Sequence, residues 1–408
     1  MMNNLKKVVT ATAIALTMAS ILYTPATTHR PEIVYAKAKP QNSAQLFLGL
    51  FGLPAGLGAI RPAVAAGLVQ SIQTYSITIP INETSATYTI SSVDTARSHI
   101  WPGGQTCQNT FESSISSMGR AELTNGTTVT AYRNSLSATN TITLIGAVVQ
   151  WNSGVTASIQ QGTITLTSSD TSVTATISSI TTTNSAVHLL GATSDSSTID
   201  HSIVRGRLDI SSATGVRFRR GTATDSLTGG YVAVQFASGV LNSNTQQFSI
   251  TGSSAESTAT ISTITLAQTC LFYGGVSRAE GNAGADRIPY CWIKDTTTVA
   301  TTQTSTTGAD PITQATAVEF KSTDVVGVDR GTNVIATSAT TQDSTIGAVN
   351  TGKTVVSWLG YTASAAISNP SQEFTTVKLQ STTSVRNERN SSSSTKTVTD
   401  SWEAIEFA

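Results

Sequence analysis

Side chains able to do chemistry are few in this 408-residue chain, and their spacing argues against most reactions. The histidines, His29, His99, His188 and His201, fall in no pattern such as HExxH that brings two imidazoles to one metal. There is no GxSxG nucleophile elbow, no phosphate-cradling GxxxxGK[ST] and no dinucleotide GxGxxG. Acidic residues are scattered, without the ladder of a calcium loop. The expectation is a chain that is not an enzyme, with no cofactor and no metal site. Asn82, Asn125 and Asn390 begin N-x-[ST] sequons, which a Thr-rich chain produces by chance.

Cys107, Cys270 and Cys291 are too few for a disulfide framework and carry no zinc or redox spacing. Cys270 and Cys291 could pair in an oxidising compartment, leaving Cys107 over in a loop. Against that pairing, Cys291 takes a core position and Cys270 faces away from its core neighbour Leu271. Three aromatics, Trp101, Tyr273 and Trp358, sit near equivalent loops and could stack on a ligand such as a sugar or on a partner.

These loops are equivalent because the chain holds an internal repeat, its strongest signal. Four segments end alike: Val148-Val149-Gln150-Trp151, Ala233-Val234-Gln235-Phe236, Ala317-Val318-Glu319-Phe320 and Ala404-Ile405-Glu406-Phe407. The final aromatics recur at intervals of about 85 residues, the size of a small sandwich. Early in the copies stand Ser85-Ala86-Thr87-Tyr88-Thr89-Ile90, Val173-Thr174-Ala175-Thr176-Ile177 and Ser257-Thr258-Ala259-Thr260-Ile261, with a weaker Ser344-Thr345-Ile346-Gly347 in the fourth. A third strand carries Ile100, Val187, Leu271 or Val356 and runs into Gly104, Gly191, Gly275 or Gly360, where a turn with positive φ is expected. A fourth strand places apolar pairs two apart, such as Leu208 and Ile210, and Val129, Val216, Val299 and Val385 follow.

These patterns predict an all-β protein of four tandem small antiparallel β-sandwich (Ig-like) modules, covering 71–151, 160–236, 246–320 and 331–408, each with its own core. Ser and Thr make up roughly three residues in ten, which suits strands with a hydroxyl-coated outer face. Two polar positions recur as well: Arg133, Arg220, Gln303 or Arg389, and Gln150, Gln235, Glu319 or Glu406. They are expected to pair across neighbouring strands on the outer face, the alternative being one ligand site per copy.

The N-terminus reads as an export signal over 1–36, with Lys6 and Lys7 before an apolar run and small residues near Ala36. Residues 37–70 form an apolar arm or linker. Its stretch from Leu46 to Val69 holds Pro54, Pro62 and Arg61, which favours packing on a neighbour over a membrane span. Charged residues are only 12% and the net charge is +0, so no field is available to hold nucleic acid or an anionic membrane.

The copy pattern, with the stretch from Arg120 to Arg133 and the closing V-V-Q/E-aromatic strand, resembles the tandem β-modules of tailed-phage virion structural proteins and of some bacterial surface proteins. The resemblance covers Tyr75 to Phe407 and implies a structural or displayed component of a particle or appendage. The export signal departs from the phage pattern and favours an extracellular or cell-surface setting. Expected partners are other copies of the chain or other surface or virion proteins. The alternative function is a secreted adhesin or carbohydrate-binding array acting by avidity on glycans.

Overall fold

The computed structural model describes residues 67–108, 117–134, 140–196, 205–278, 289–304, 310–364, 370–392 and 396–408. The export signal and all of the arm before residue 67 lie outside them. Each copy supplies six strands. Copy one holds β1 (Val69–Ile79), β2 (Ser85–Thr89), β3 (Ser98–Cys107), β4 (Arg120–Asn125), β5 (Thr128–Tyr132) and β6 (Ile142–Trp151). Copy two holds β7 (Thr156–Leu166), β8 (Ser172–Thr176), β9 (Ser185–Ser194), β10 (Arg207–Ser212), β11 (Gly215–Arg219) and β12 (Leu227–Phe236). Copy three holds β13 (Gln246–Thr251), β14 (Glu256–Thr260), β15 (Thr269–Ser277), β16 (Tyr290–Asp295), β17 (Thr298–Thr302) and β18 (Ile312–Glu319). Copy four holds β19 (Val325–Ile335), β20 (Thr341–Thr345), β21 (Thr354–Ala363), β22 (Thr375–Ser381), β23 (Ser384–Arg389) and β24 (Val398–Phe407).

Local sequence explains the strands. In β1 the residues Tyr75, Ile77 and Ile79 are buried while Ser76 and Thr78 between them are exposed, the period-2 alternation of a sheet with one wet face. On that wet face hydroxyls pair across strands: Thr78 with Thr143 at 2.8 Å and, in copy two, Thr165 with Thr228 at 2.9 Å. Within each copy the sixth strand lies between the first and the third, and the fifth lies between the second and the fourth.

The fold is all-β with small antiparallel sheets, but it is not a string of four Ig-like sandwiches. The strands form five sheets arranged as a propeller-like ring. Three of the five are six-stranded, and each of these joins half of one copy to half of another. The fourth strand of one copy meets the third strand of the next: Arg120 pairs with Gly191, Arg207 with Gly275, and Thr376 of copy four with Gly104 of copy one. The last pair closes the circle. Between copies three and four the equivalent halves, β16 and β21, touch without a ladder pair, so five sheets result instead of four. The described residues accordingly belong to one compact unit, and the copies are parts of one body, not independent beads.

The recurring glycines explain the joint. Gly104, Gly191, Gly275 and Gly360 have φ of 97°, 97°, 98° and 99°. They do not end the third strand, as a turn would. They sit inside it at a shift of register, where the neighbouring copy arrives. A Cβ on Gly104, Gly191 or Gly275 would lie 2.4 Å from a carbonyl oxygen of the adjoining copy. Only a residue without a side chain permits that approach.

Candidate functional site

The ring brings side chains from all four copies to one axis. At one end the terminal aromatics Trp151, Phe236, Phe320 and Phe407 are fully buried and meet mostly edge to face. Ring centroids lie 5.3 to 5.9 Å apart around this plug, the spacing that aromatic quadrupoles favour. Behind it the third strands contribute a second layer, in which His188 stacks on Phe272 at 4.2 Å and both pack on Trp101 at 4.9 Å. Glu403 of copy four also points inward, where the other copies have Ala147, Val232 and Thr316. Its carboxylate accepts from the Leu271 backbone N–H at 2.7 Å and from Arg330 Nε at 2.8 Å.

Further along the same strands the axis opens into a cavity of about 90 Å³. Pro102, Leu189, Tyr273 and Trp358, one from each copy, line it together with the joint glycines Gly104, Gly191 and Gly275. Most of the wall is apolar. Its charged residue is Arg205, which stands where copy one has Met118 and copy four has Phe374. Arg205 belongs to copy two and reaches copy four, where it meets the Tyr361 hydroxyl and lies 3.4 Å from the Glu373 carboxylate. Its guanidinium also covers the Phe374 ring at 5.1 Å. Tyr361 and Glu373 are fully buried, and burial holds the Tyr361 phenol well above its ordinary range.

Other buried ionisable groups are set by the same physics. Burial raises the Asp400 carboxyl to about 7, against the pull of hydrogen bonds from Thr375 Oγ1 at 2.5 Å and Asn387 Nδ2 at 3.0 Å. Burial lowers the His99 imidazole to about 4 and holds His188 well below the usual range, so both are neutral at pH 7. Burial likewise lifts the Cys291 and Cys270 thiols, leaving little thiolate to react.

The three aromatics singled out in the sequence part company here. Trp101 is fully buried in the second axial layer and cannot stack on a ligand. Tyr273 and Trp358 come together in the cavity wall, their rings edge to face at 5.7 Å, and Trp358 Nε1 donates to Thr375 Oγ1 at 3.3 Å. No disulfide joins Cys107, Cys270 and Cys291, all three of which are buried. Cys270 belongs to the axial core, whereas Cys291 sits in the core of copy three.

The recurring Arg and Gln positions do not pair with the recurring Gln and Glu on an outer face. Arg133 is buried and donates to the carbonyls of Pro80, Glu83 and Asn140 at 2.6 to 2.8 Å. Arg220, Arg389 and Gln303 do the same for the matching loops of their copies, as in the 2.6 Å bond from Gln303 Nε2 to Gly252 O. They are loop ties, neither ligand sites nor cross-strand partners. Sequence reading missed Arg205, Glu373, Arg330, Glu403 and Asp400. The available signal was a charged residue in a column of the repeat that is otherwise uncharged, visible at Arg205 and at Glu403.

Among the described residues no three His, Cys, Asp or Glu side chains gather as metal ligands would, and no helix is long and apolar enough to cross a membrane. No protein-family model and no curated protein matches the chain.

Proposed function

We propose that the protein is a non-enzymatic structural component of an extracellular surface assembly, such as an appendage, a filament or a virion-like particle, and that the closed ring is its building unit. The observation that carries this reading is the closure itself, in which β22 of the last copy pairs with β3 of the first at Thr376 and Gly104. Closure removes two of the sheet edges that an open array would leave for uncontrolled pairing. It also turns four copies into one rigid block with hydroxyl-coated strands outside and aromatics inside, as the Thr78–Thr143 and Thr165–Thr228 pairs illustrate. Such a block suits stacking better than chemistry.

The alternative, a secreted adhesin or carbohydrate-binding array, draws on less. Avidity needs separately presented sites, and the candidate stacking aromatics turn inward. The experiment is to fractionate native cells, medium and particles, and to image the fractions that contain the protein by electron microscopy. Ordered filaments or particles containing it are expected. A freely dispersed monomer in the medium would overturn the structural reading.

A further inference from the structure

The four copies are not sealed to one another in the same way. In copy two Gln161, on β7 opposite Val232, extends its carboxamide to the preceding copy and donates to Leu123 O on β4 at 2.8 Å. In copy three Gln247, on β13 opposite Thr316, makes a two-point contact with β10. Its Oε1 accepts from Ile210 N–H at 2.8 Å and its Nε2 donates to Ile210 O at 3.4 Å. In copy four the station is Arg330, opposite Glu403, and its guanidinium reaches the carbonyls of Leu266 and Thr269 in copy three. Three joints are thus crossed by a long side chain from the same register position.

The joint that closes the ring lacks this device. The station in copy one is Thr74, opposite Ala147 on β6, and its side chain is too short to cross. A groove of about 540 Å³ stands there instead, lined by Thr74, Tyr88 and Thr143 from copy one and by Thr376, Leu379 and Gln380 from copy four. Leu379 lies opposite Val385 as Ile210 lies opposite Val216, with the same register shift beyond it. Equivalent pairing turns its N–H and C=O outward, as those of Ile210 are turned to Gln247. They face the groove, where no described side chain caps them.

We propose that this groove is a docking site for a partner polypeptide that inserts a glutamine or asparagine carboxamide against Leu379. The molecule itself supplies the template, since the same backbone station in copy two is closed by the carboxamide of Gln247. A carboxamide carries an acceptor oxygen and a donor nitrogen on one carbon, the pair that an outward strand residue requires. Charge agrees with a neutral group: Lys378 and Glu388 at the rim neutralise each other at 2.8 Å. Tyr88, 38% exposed, offers a ring against which an adjoining peptide can pack. The inference stands on the asymmetry of the joints and does not depend on the ring being an assembly unit.

The test uses the full chain and three probes: acetyl-Thr-Gln-Thr-amide, its Glu counterpart and chitotriose, each titrated calorimetrically. One equivalent of the Gln peptide is expected to bind, with the Glu peptide at least about tenfold weaker, because one half of the donor–acceptor pair is lost and a charge is desolvated. Thr74→Gln should close the groove from within, raise Tm and weaken the Gln peptide by at least about tenfold. Gln247→Thr should open a second groove and raise the stoichiometry from one to two. Absence of Gln-peptide binding to the wild type, equal binding to Thr74→Gln, or chitotriose binding that Thr74→Gln abolishes would each overturn the proposal, the last in favour of a carbohydrate.

Discussion

The two ends of the ring axis are built from equivalent strands yet behave as opposites. At the plug end each copy delivers an aromatic to the same station, and Trp151, Phe236, Phe320 and Phe407 are all fully buried against one another. At the cavity end the four stations hold Pro102, Leu189, Tyr273 and Trp358, which differ in volume and shape, and space remains. A repeat packs tightly on its own axis when its copies agree. Where they differ, gaps and lone charges such as Arg205 appear, and individuality can be stored.

The largest effect that can break this contrast is at the plug. Trp151→Ala should cost about 3–5 kcal/mol in urea unfolding, since it empties a fully buried station that contacts the other three plug aromatics. Trp358→Ala, which trims the rim of an existing cavity, should cost less than half as much. Equal losses at the two ends would end the distinction.

Next in size is the cross-ring ion pair. Arg205→Met gives copy two the residue of copy one, and it should cost about 3 kcal/mol by withdrawing the cation from a fully buried carboxylate. Adding Glu373→Ser, which copies Ser117, should recover most of that loss. A double variant as unstable as the single one would show that Arg205 acts by packing on Phe374 instead of by charge.

The smallest effect is a balance of pH terms. Asp400 has its folded pKa raised to about 7, so its contribution is complete below about 4 and is lost as pH rises toward 7. His99, lowered to about 4, and His188, also lowered, contribute above about 6.5 and lose that contribution as pH falls. The two trends oppose each other between pH 4 and 7, which predicts a shallow wild-type profile of Tm. Asp400→Asn should make Tm fall more steeply on acidification, and His188→Phe, which copies Phe272, should make it fall less. Unchanged slopes in both variants would show that neither group titrates as its burial requires.

The copies, their six strands and their buried faces could be read because alternation in segments such as Tyr75-Ser76-Ile77-Thr78-Ile79 is a local property. The positive φ of Gly104 and its three counterparts was legible too, since only glycine adopts it without strain. The purpose of that φ was not, because it depends on a carbonyl arriving from another copy. Arg133 and its counterparts were visible as a pattern, but their partners are backbone oxygens, which no sequence column displays. Trp101 looked available beside a loop and proved to be the heart of the axis.

The sequence by itself determined the strand pattern, the fourfold repetition and the alternating greasy and hydroxyl faces, all of which follow from side-chain type and near-neighbour spacing. Only the tertiary structure decided that the copies share sheets and close on themselves, that Tyr273 and Trp358 meet in one wall, and that a single joint stays open beside Thr74. These outcomes depend on contacts between residues tens to hundreds of positions apart, whose geometry is fixed by ring closure and leaves no periodic trace along the chain.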